Sequence, residues 1–107
     1  MACHSDQSLD MLSDASAEEK EILGAIGYQP NTATLHTDVS LLSPHRRAWA
    51  AWNYDRLGPA DTTPAVTYDL TDLQRLPGSR RYLVSLNSDD RIDPAAILAR
   101  FDYAHPV

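Results

Sequence analysis

Thr32-Ala33-Thr34-Leu35-His36-Thr37-Asp38 alternates two sets of side chains, Ala33, Leu35 and Thr37 on one side and Thr34, His36 and Asp38 on the other. A period of two is the signature of a β-strand, because successive Cβ atoms point to opposite faces of a pleated backbone. The same period recurs downstream. Ala65 to Leu70 sets Val66, Tyr68 and Leu70 against Thr67 and Asp69, and Tyr82 to Asn87 sets Tyr82, Val84 and Leu86 on one face. Ala48 to Tyr54 is small and aromatic, with Trp49 on one strand face and Trp52 and Tyr54 on the other. Gly58-Pro59, Pro77-Gly78 and Ser88-Asp89-Asp90 punctuate these runs with turn-forming residues.

Upstream the period changes. Ser16-Ala17-Glu18-Glu19 is a capping box, and Ile22, Leu23 and Ile26 follow on one helical stripe, so the pattern predicts a helix over 17–26 that Gly27 closes. Leu9 and Leu12 mark a shorter helix that Ser5 or Asp6 caps, and Tyr28-Gln29-Pro30-Asn31 reads as a turn. Two segments stay open. Leu70, Leu73 and Leu76 suit a helical turn at the sheet edge, whereas Asp93-Pro94 starts either a helix through Phe101 or a connection into a strand over 98–103. The fold class is α+β, two N-terminal helices followed by a mostly antiparallel sheet of three to five strands.

Composition narrows the chemistry. The chain has 107 residues, 43% hydrophobic and 22% charged, as a single globular domain does. A net charge of −6 argues against nucleic acid as a partner, since phosphate neutralisation needs clustered Lys and Arg. No apolar run reaches the roughly 20 residues of a membrane helix. Cys3, the one cysteine, leaves no intramolecular disulfide, and the cytoplasm is the expected location.

Candidate chemistry is sparse. The four glycines form no phosphate-binding motif, and the four histidines are too dispersed for zinc spacing, so no metal and no catalytic residue is assigned. His4-Ser5-Asp6 holds the residue types of a hydrolytic triad, but sequence neighbours cannot form its relay and helix capping is the expected role. His36 and Asp38 share a strand face and could pair for proton transfer in a small hydrolase; a solvated strand face is the expected reading. Trp49, Trp52 and Tyr54 around Asn53 form the densest aromatic segment, suited either to a small-molecule pocket or to anchoring the core.

The run Ala2-Cys3-His4-Ser5-Asp6-Gln7-Ser8-Leu9 resembles a segment of the flavin-containing amine oxidase superfamily. So, in order, do Glu18-Glu19 to Ile26, Tyr28-Gln29-Pro30-Asn31, Leu35-His36-Thr37-Asp38, Ala48-Trp49-Ala50-Ala51-Trp52-Asn53-Tyr54, Val66-Thr67-Tyr68, Leu73-Gln74, Leu83-Val84-Ser85-Leu86-Asn87 and Phe101-Asp102-Tyr103-Ala104-His105-Pro106-Val107. The resemblance implies an FAD-dependent oxidoreductase whose glycine fingerprint lies outside this sequence. Residues 1–30 would be a flavin-domain strand end with its helical connection, and 31–107 a β-rich substrate-domain region. Ala2 and His4 would approach the flavin; Trp52, Asn53 and Tyr68 would line the substrate side. Asp69-Leu70-Thr71-Asp72 departs from the family pattern beside Leu73-Gln74. Lacking the dinucleotide anchor, the chain is expected to bind no FAD tightly, to be inactive alone and to self-associate through bare sheet edges. The alternative is a non-catalytic interaction module derived from such an enzyme.

Overall fold

The structure, a computed structural model, describes residues 3–55 and 65–107. It is an α+β fold, with two helices ahead of a five-stranded sheet. Helix α1 (Ser5–Met11) and helix α2 (Ala17–Gly24) come first; the strands are β1 (Tyr28–His36), β2 (Trp52–Asp55), β3 (Ala65–Asp69), β4 (Leu83–Leu86) and β5 (Ile97–Pro106). A one-turn helix α3 (Leu70–Leu73) follows β3. The sheet order is β2-β3-β4-β1-β5, so β2, β3 and β4 form a meander and β1 enters it from far upstream. The β2–β3, β3–β4 and β1–β4 pairs are antiparallel, with Trp52 opposite Tyr68, Tyr68 opposite Val84, and Val84 opposite Leu35.

The chain divides into two compact units. One runs to Pro30 and includes Ala104–Val107; the other is Asn31–Tyr103. In the first, the capping box forms as its spacing predicts. The Glu19 N–H donates to Ser16 Oγ (3.2 Å), and the Ser16 N–H donates to Glu19 Oε2 (2.8 Å). Helix α2 ends at Gly24 rather than at Gly27. Gly27 is a strand-end partner, its carbonyl accepting from the Val107 N–H at 3.0 Å. Helix α1 is capped by His4, not by Ser5 or Asp6. Ser5 is instead buried, and both its N–H and its hydroxyl meet the Tyr28 hydroxyl, at 2.8 and 3.0 Å.

Three strand boundaries differ from the sequence pattern. Tyr28–Asn31 is the start of β1 rather than a turn. Pro30 is tolerated there because the ladder with β4 begins only at Ala33, so no donor is missed in that pairing. Strand β2 is confined to Trp52–Asp55, and Trp49 lies just after a 3-10 turn over Arg46–Ala48. Between Asp93-Pro94 and β5 only a 3-10 turn forms, Pro94–Ala96, with Asp93 Oδ1 accepting from the Ala95 N–H at 2.9 Å. The strand alternative therefore holds at the C-terminal end. After β3 the leucine spacing does give a helical turn, α3, with Asp69 Oδ1 accepting from the Asp72 N–H at 3.2 Å.

Within the second unit the two sheet faces are unlike. Thr34 and His36 on β1, Thr67 and Asp69 on β3, and Leu83 and Ser85 on β4 are all buried. Ala33, Leu35, Val66, Tyr68, Val84 and Leu86 on the opposite face are only half-buried. The segments 39–49 and 88–96 lie over the polar face. From them Leu42 and Ile92 are buried, and Asp89 Oδ1 accepts the Thr34 hydroxyl. Strand β5 follows the same division. Asp102 accepts from the Thr32 hydroxyl (2.8 Å) and Arg100 pairs with Asp89 (3.3 Å). Alternation then places Ala99, Phe101 and Tyr103 with the apolar set.

Candidate functional site

The buried polar face is a connected hydrogen-bond system. His36 Nδ1 accepts from the Asp38 N–H at 3.2 Å, so the neutral ring carries its proton on Nε2 and donates it to Ser85 Oγ at 2.9 Å. Ser85 Oγ is in turn 2.7 Å from Thr67 Oγ1. The expected solvated face for His36 is therefore corrected: His36 and Ser85 are fully buried. Burial is tolerated because each polar atom meets a partner, and among the described residues no buried side-chain N or O lacks one. Desolvation pushes the His36 pKa below its ordinary value, outweighing the opposing influence of Asp38 and Asp89.

The Asp38 carboxylate makes no hydrogen bond to the imidazole. It lies past the end of β1, and its oxygens accept from the Ser40 N–H (2.9 Å) and the Asp93 N–H (2.9 Å). Burial works to raise its pKa, but those N–H donors prevail and hold the carboxyl below the usual aspartate range. A hydrolytic His36–Asp38 pair is thereby removed, since the ring nitrogen facing Asp38 takes a backbone proton.

A second charged cluster braces the edge of the same face. Asp69, fully buried, accepts from Arg81 Nη1 at 2.7 Å, and Asp72 takes the same atom at 2.5 Å. The Asp72 hydrogen bond is the main cause holding Arg81 more firmly protonated; desolvation opposes it and Asp69 assists. The guanidinium carbons of Arg81 and Arg46 lie 5.4 and 5.3 Å from the Trp49 ring centroid, and the indole N–H donates to the Ser43 carbonyl at 2.7 Å. Trp49 thus anchors the 43–49 segment through cation–π contacts and one hydrogen bond.

Between the polar face and the segment 40–44 lies a cavity of about 530 Å³. Its walls include Ser40–Pro44 on one side, Asn53 and Thr67 on the sheet, and the Asp55–Arg91 ion pair (2.6 Å). Trp52 and Asn53, expected on the substrate side, both line it. The Asn53 amide is committed to the backbone, with Nδ2 donating to the Ala50 carbonyl (2.6 Å) and the Thr67 carbonyl (3.3 Å). Tyr68 is elsewhere. On the apolar face its ring meets that of Trp52 edge-on, centroids 5.3 Å apart and planes at 78°. Register explains this split, because Trp52 pairs with Tyr68 while Asn53 pairs with Thr67 on the opposite side.

The expected flavin-side residues belong to the other unit. Ala2 lies outside the described residues. The His4 ring stacks on Tyr28, centroids 4.7 Å apart, and its Nδ1 is 4.0 Å from Asp6. Cys3 is exposed, its sulfur 3.1 Å from Ser8 Oγ. Among the described residues no group of three or more His, Cys, Asp and Glu could hold a metal, and no helix is long and apolar enough to cross a membrane. Ser40, Ser43, Thr67 and Arg91 were not singled out by sequence reasoning; Thr67 was legible only as a polar residue between Val66 and Tyr68.

The sequence matches no protein-family model, and no curated protein is significantly similar to it.

Proposed function

We propose that this chain is the substrate-side portion of an FAD-dependent, amine-oxidase-like oxidoreductase, without catalytic activity of its own. The observation that carries this reading is the apolar sheet face headed by the Trp52–Tyr68 pair. Trp52 is 68% exposed and Tyr54 69%, beside half-buried Val66, Val84 and Leu86. Such an exposed aromatic face suits contact with a planar ring system and a small-molecule substrate. Family resemblance along nearly the whole sequence supports the same reading. The flavin would carry the redox chemistry, and this face would help position the substrate.

The first unit does not fit the dinucleotide itself. Helix α1 has Asp6 in its first turn, and helix α2 has Glu18 and Glu19. A pyrophosphate there would meet a carboxylate where it needs donors and positive potential.

The test compares lumiflavin, which has the ring system but no phosphate, with FAD, following tryptophan fluorescence. Saturable quenching by lumiflavin, no tighter with FAD and lost in Trp52→Ala, is the expected result. No response to lumiflavin sinks the reading, and FAD that survives dialysis in stoichiometric amount overturns the claim of inactivity alone.

A second reading, a non-catalytic interaction module derived from such an enzyme, is favoured by the same open face. Phe101 (58% exposed) and Tyr103 (38%) extend it onto β5. A stable complex formed through this face with no flavin response would select it.

A further inference from the structure

The cavity over the polar face is lined by Thr67, the last hydroxyl of a buried hydrogen-bond chain. His36 must donate from Nε2, because Nδ1 already accepts the Asp38 N–H. Ser85 Oγ therefore accepts from the ring and passes its own proton to Thr67 Oγ1. Were Thr67 to donate instead, the Ser85 proton would lack an acceptor at a fully buried position. Thr67, 6% exposed, then retains one O–H, and among the described residues its hydroxyl has no contact other than Ser85. That O–H is the free end of the chain, on a residue that lines the cavity. A buried hydroxyl with a proton to spare beside a cavity is best satisfied by an acceptor atom there.

The surrounding charge selects the kind of acceptor. Arg91, the cation of the cavity wall, is neutralised by Asp55 at 2.6 Å, and the chain carries a net charge of −6. An anion gains little there, while an uncharged oxygen satisfies Thr67 without breaking the Asp55–Arg91 pair. The volume of about 530 Å³ is that of a small-molecule site.

We propose that this cavity binds a small uncharged carbonyl compound, an amide or ketone, whose oxygen accepts the Thr67 hydroxyl at the end of the His36–Ser85–Thr67 chain. The site lies on the sheet face opposite Tyr68. It does not depend on the flavin reading, and its test contains no flavin.

The full chain, labelled with ¹⁵N, is titrated with benzamide, with benzylamine (no carbonyl oxygen) and with benzoate, and amide shifts are followed by NMR. Saturable shifts with benzamide at Thr67, Asn53 and Ser43, and markedly weaker binding of the other two, are expected. Thr67→Val should weaken benzamide by about fivefold, the size of one lost neutral hydrogen bond, whereas Thr67→Ser should restore it. Absence of saturable benzamide shifts overturns the proposal, as does equal or tighter binding of benzylamine or benzoate. Unchanged affinity in a folded Thr67→Val does the same. Should Thr67→Val fail to fold, Thr67→Ser and the comparison of the three probes on the native chain still decide it.

Discussion

The two faces of the sheet divide the labour in an unusual direction. The face carrying Thr34, His36, Thr67, Asp69 and Ser85 is buried, and the face carrying Ala33, Leu35, Val66, Tyr68, Val84 and Leu86 is half open. Burial on the first is made tolerable by partner matching across strands: imidazole to hydroxyl, hydroxyl to hydroxyl, carboxylate to guanidinium. Burial on the second would need only apolar contact, and is left for something else to supply. A polar face whose groups are matched to partners can take the interior while an apolar one is kept available at the surface.

The sharpest way to break this comparison is to truncate equivalent leucines on β4. Leu83 is fully buried and Leu86 half-buried on the opposite face. Leu83→Ala should destabilise by about 3 kcal/mol and Leu86→Ala by about 1 kcal/mol in denaturant unfolding. Equal losses would mean that both faces are interior. Ser85→Ala comes next, at about 2 kcal/mol, because it strands both the His36 Nε2–H and the Thr67 oxygen in the interior. A near-neutral Ser85→Ala would show that the polar network is ornamental.

Acid should act on the polar face selectively. The folded-state pKa of His36 lies below its unfolded value, so the unfolded chain binds more protons as pH falls through about 6.5. Stability contributed by the neutral ring is complete above that pH and is lost progressively below it. Asp38, also lowered, acts with the same sign further down, beneath about pH 4. Urea unfolding between pH 7.5 and 5.5 should therefore show a declining midpoint that flattens in His36→Gln. A slope unchanged by that substitution would assign the titration to another group. The smallest effect belongs to the open face. Trp52→Ala should alter stability by no more than about 0.5 kcal/mol while abolishing the lumiflavin response, and a large loss of stability would return Trp52 to the core.

What was legible in the sequence follows from which signals are local. The α2 capping box, the period-two runs of β1, β3 and β4, and the α3 turn are set by neighbours within a few residues, and they appear as read. Which face turns inward is not local. His36 is buried because Ser85 stands beside it on another strand, and a single strand carries no record of that partner. A trace did exist: Thr34, His36, Thr67, Asp69 and Ser85 all sit at alternate positions whose donors and acceptors complement one another. Trp49 misled because aromatic density resembles strand propensity, whereas its partners are two arginines and a loop carbonyl. Of the cavity lining, Trp52 and Asn53 stand out in the sequence by aromatic and amide character. The wall at 40–44 and Arg91 do not, since they reach the cavity only through tertiary folding.

The strand order has a consequence in time. Strands β2, β3 and β4 are consecutive and adjacent, so their pairing closes only short stretches of chain. Strand β1 must wait for β4, with His36 pairing to Leu83, and this long closure is entropically slow. The meander is therefore expected to form early and β1 to dock late, bringing His36 onto Ser85 in the same event. Substitutions at the Trp52–Tyr68 pair would then change the rate of folding, and substitutions at His36 chiefly the rate of unfolding.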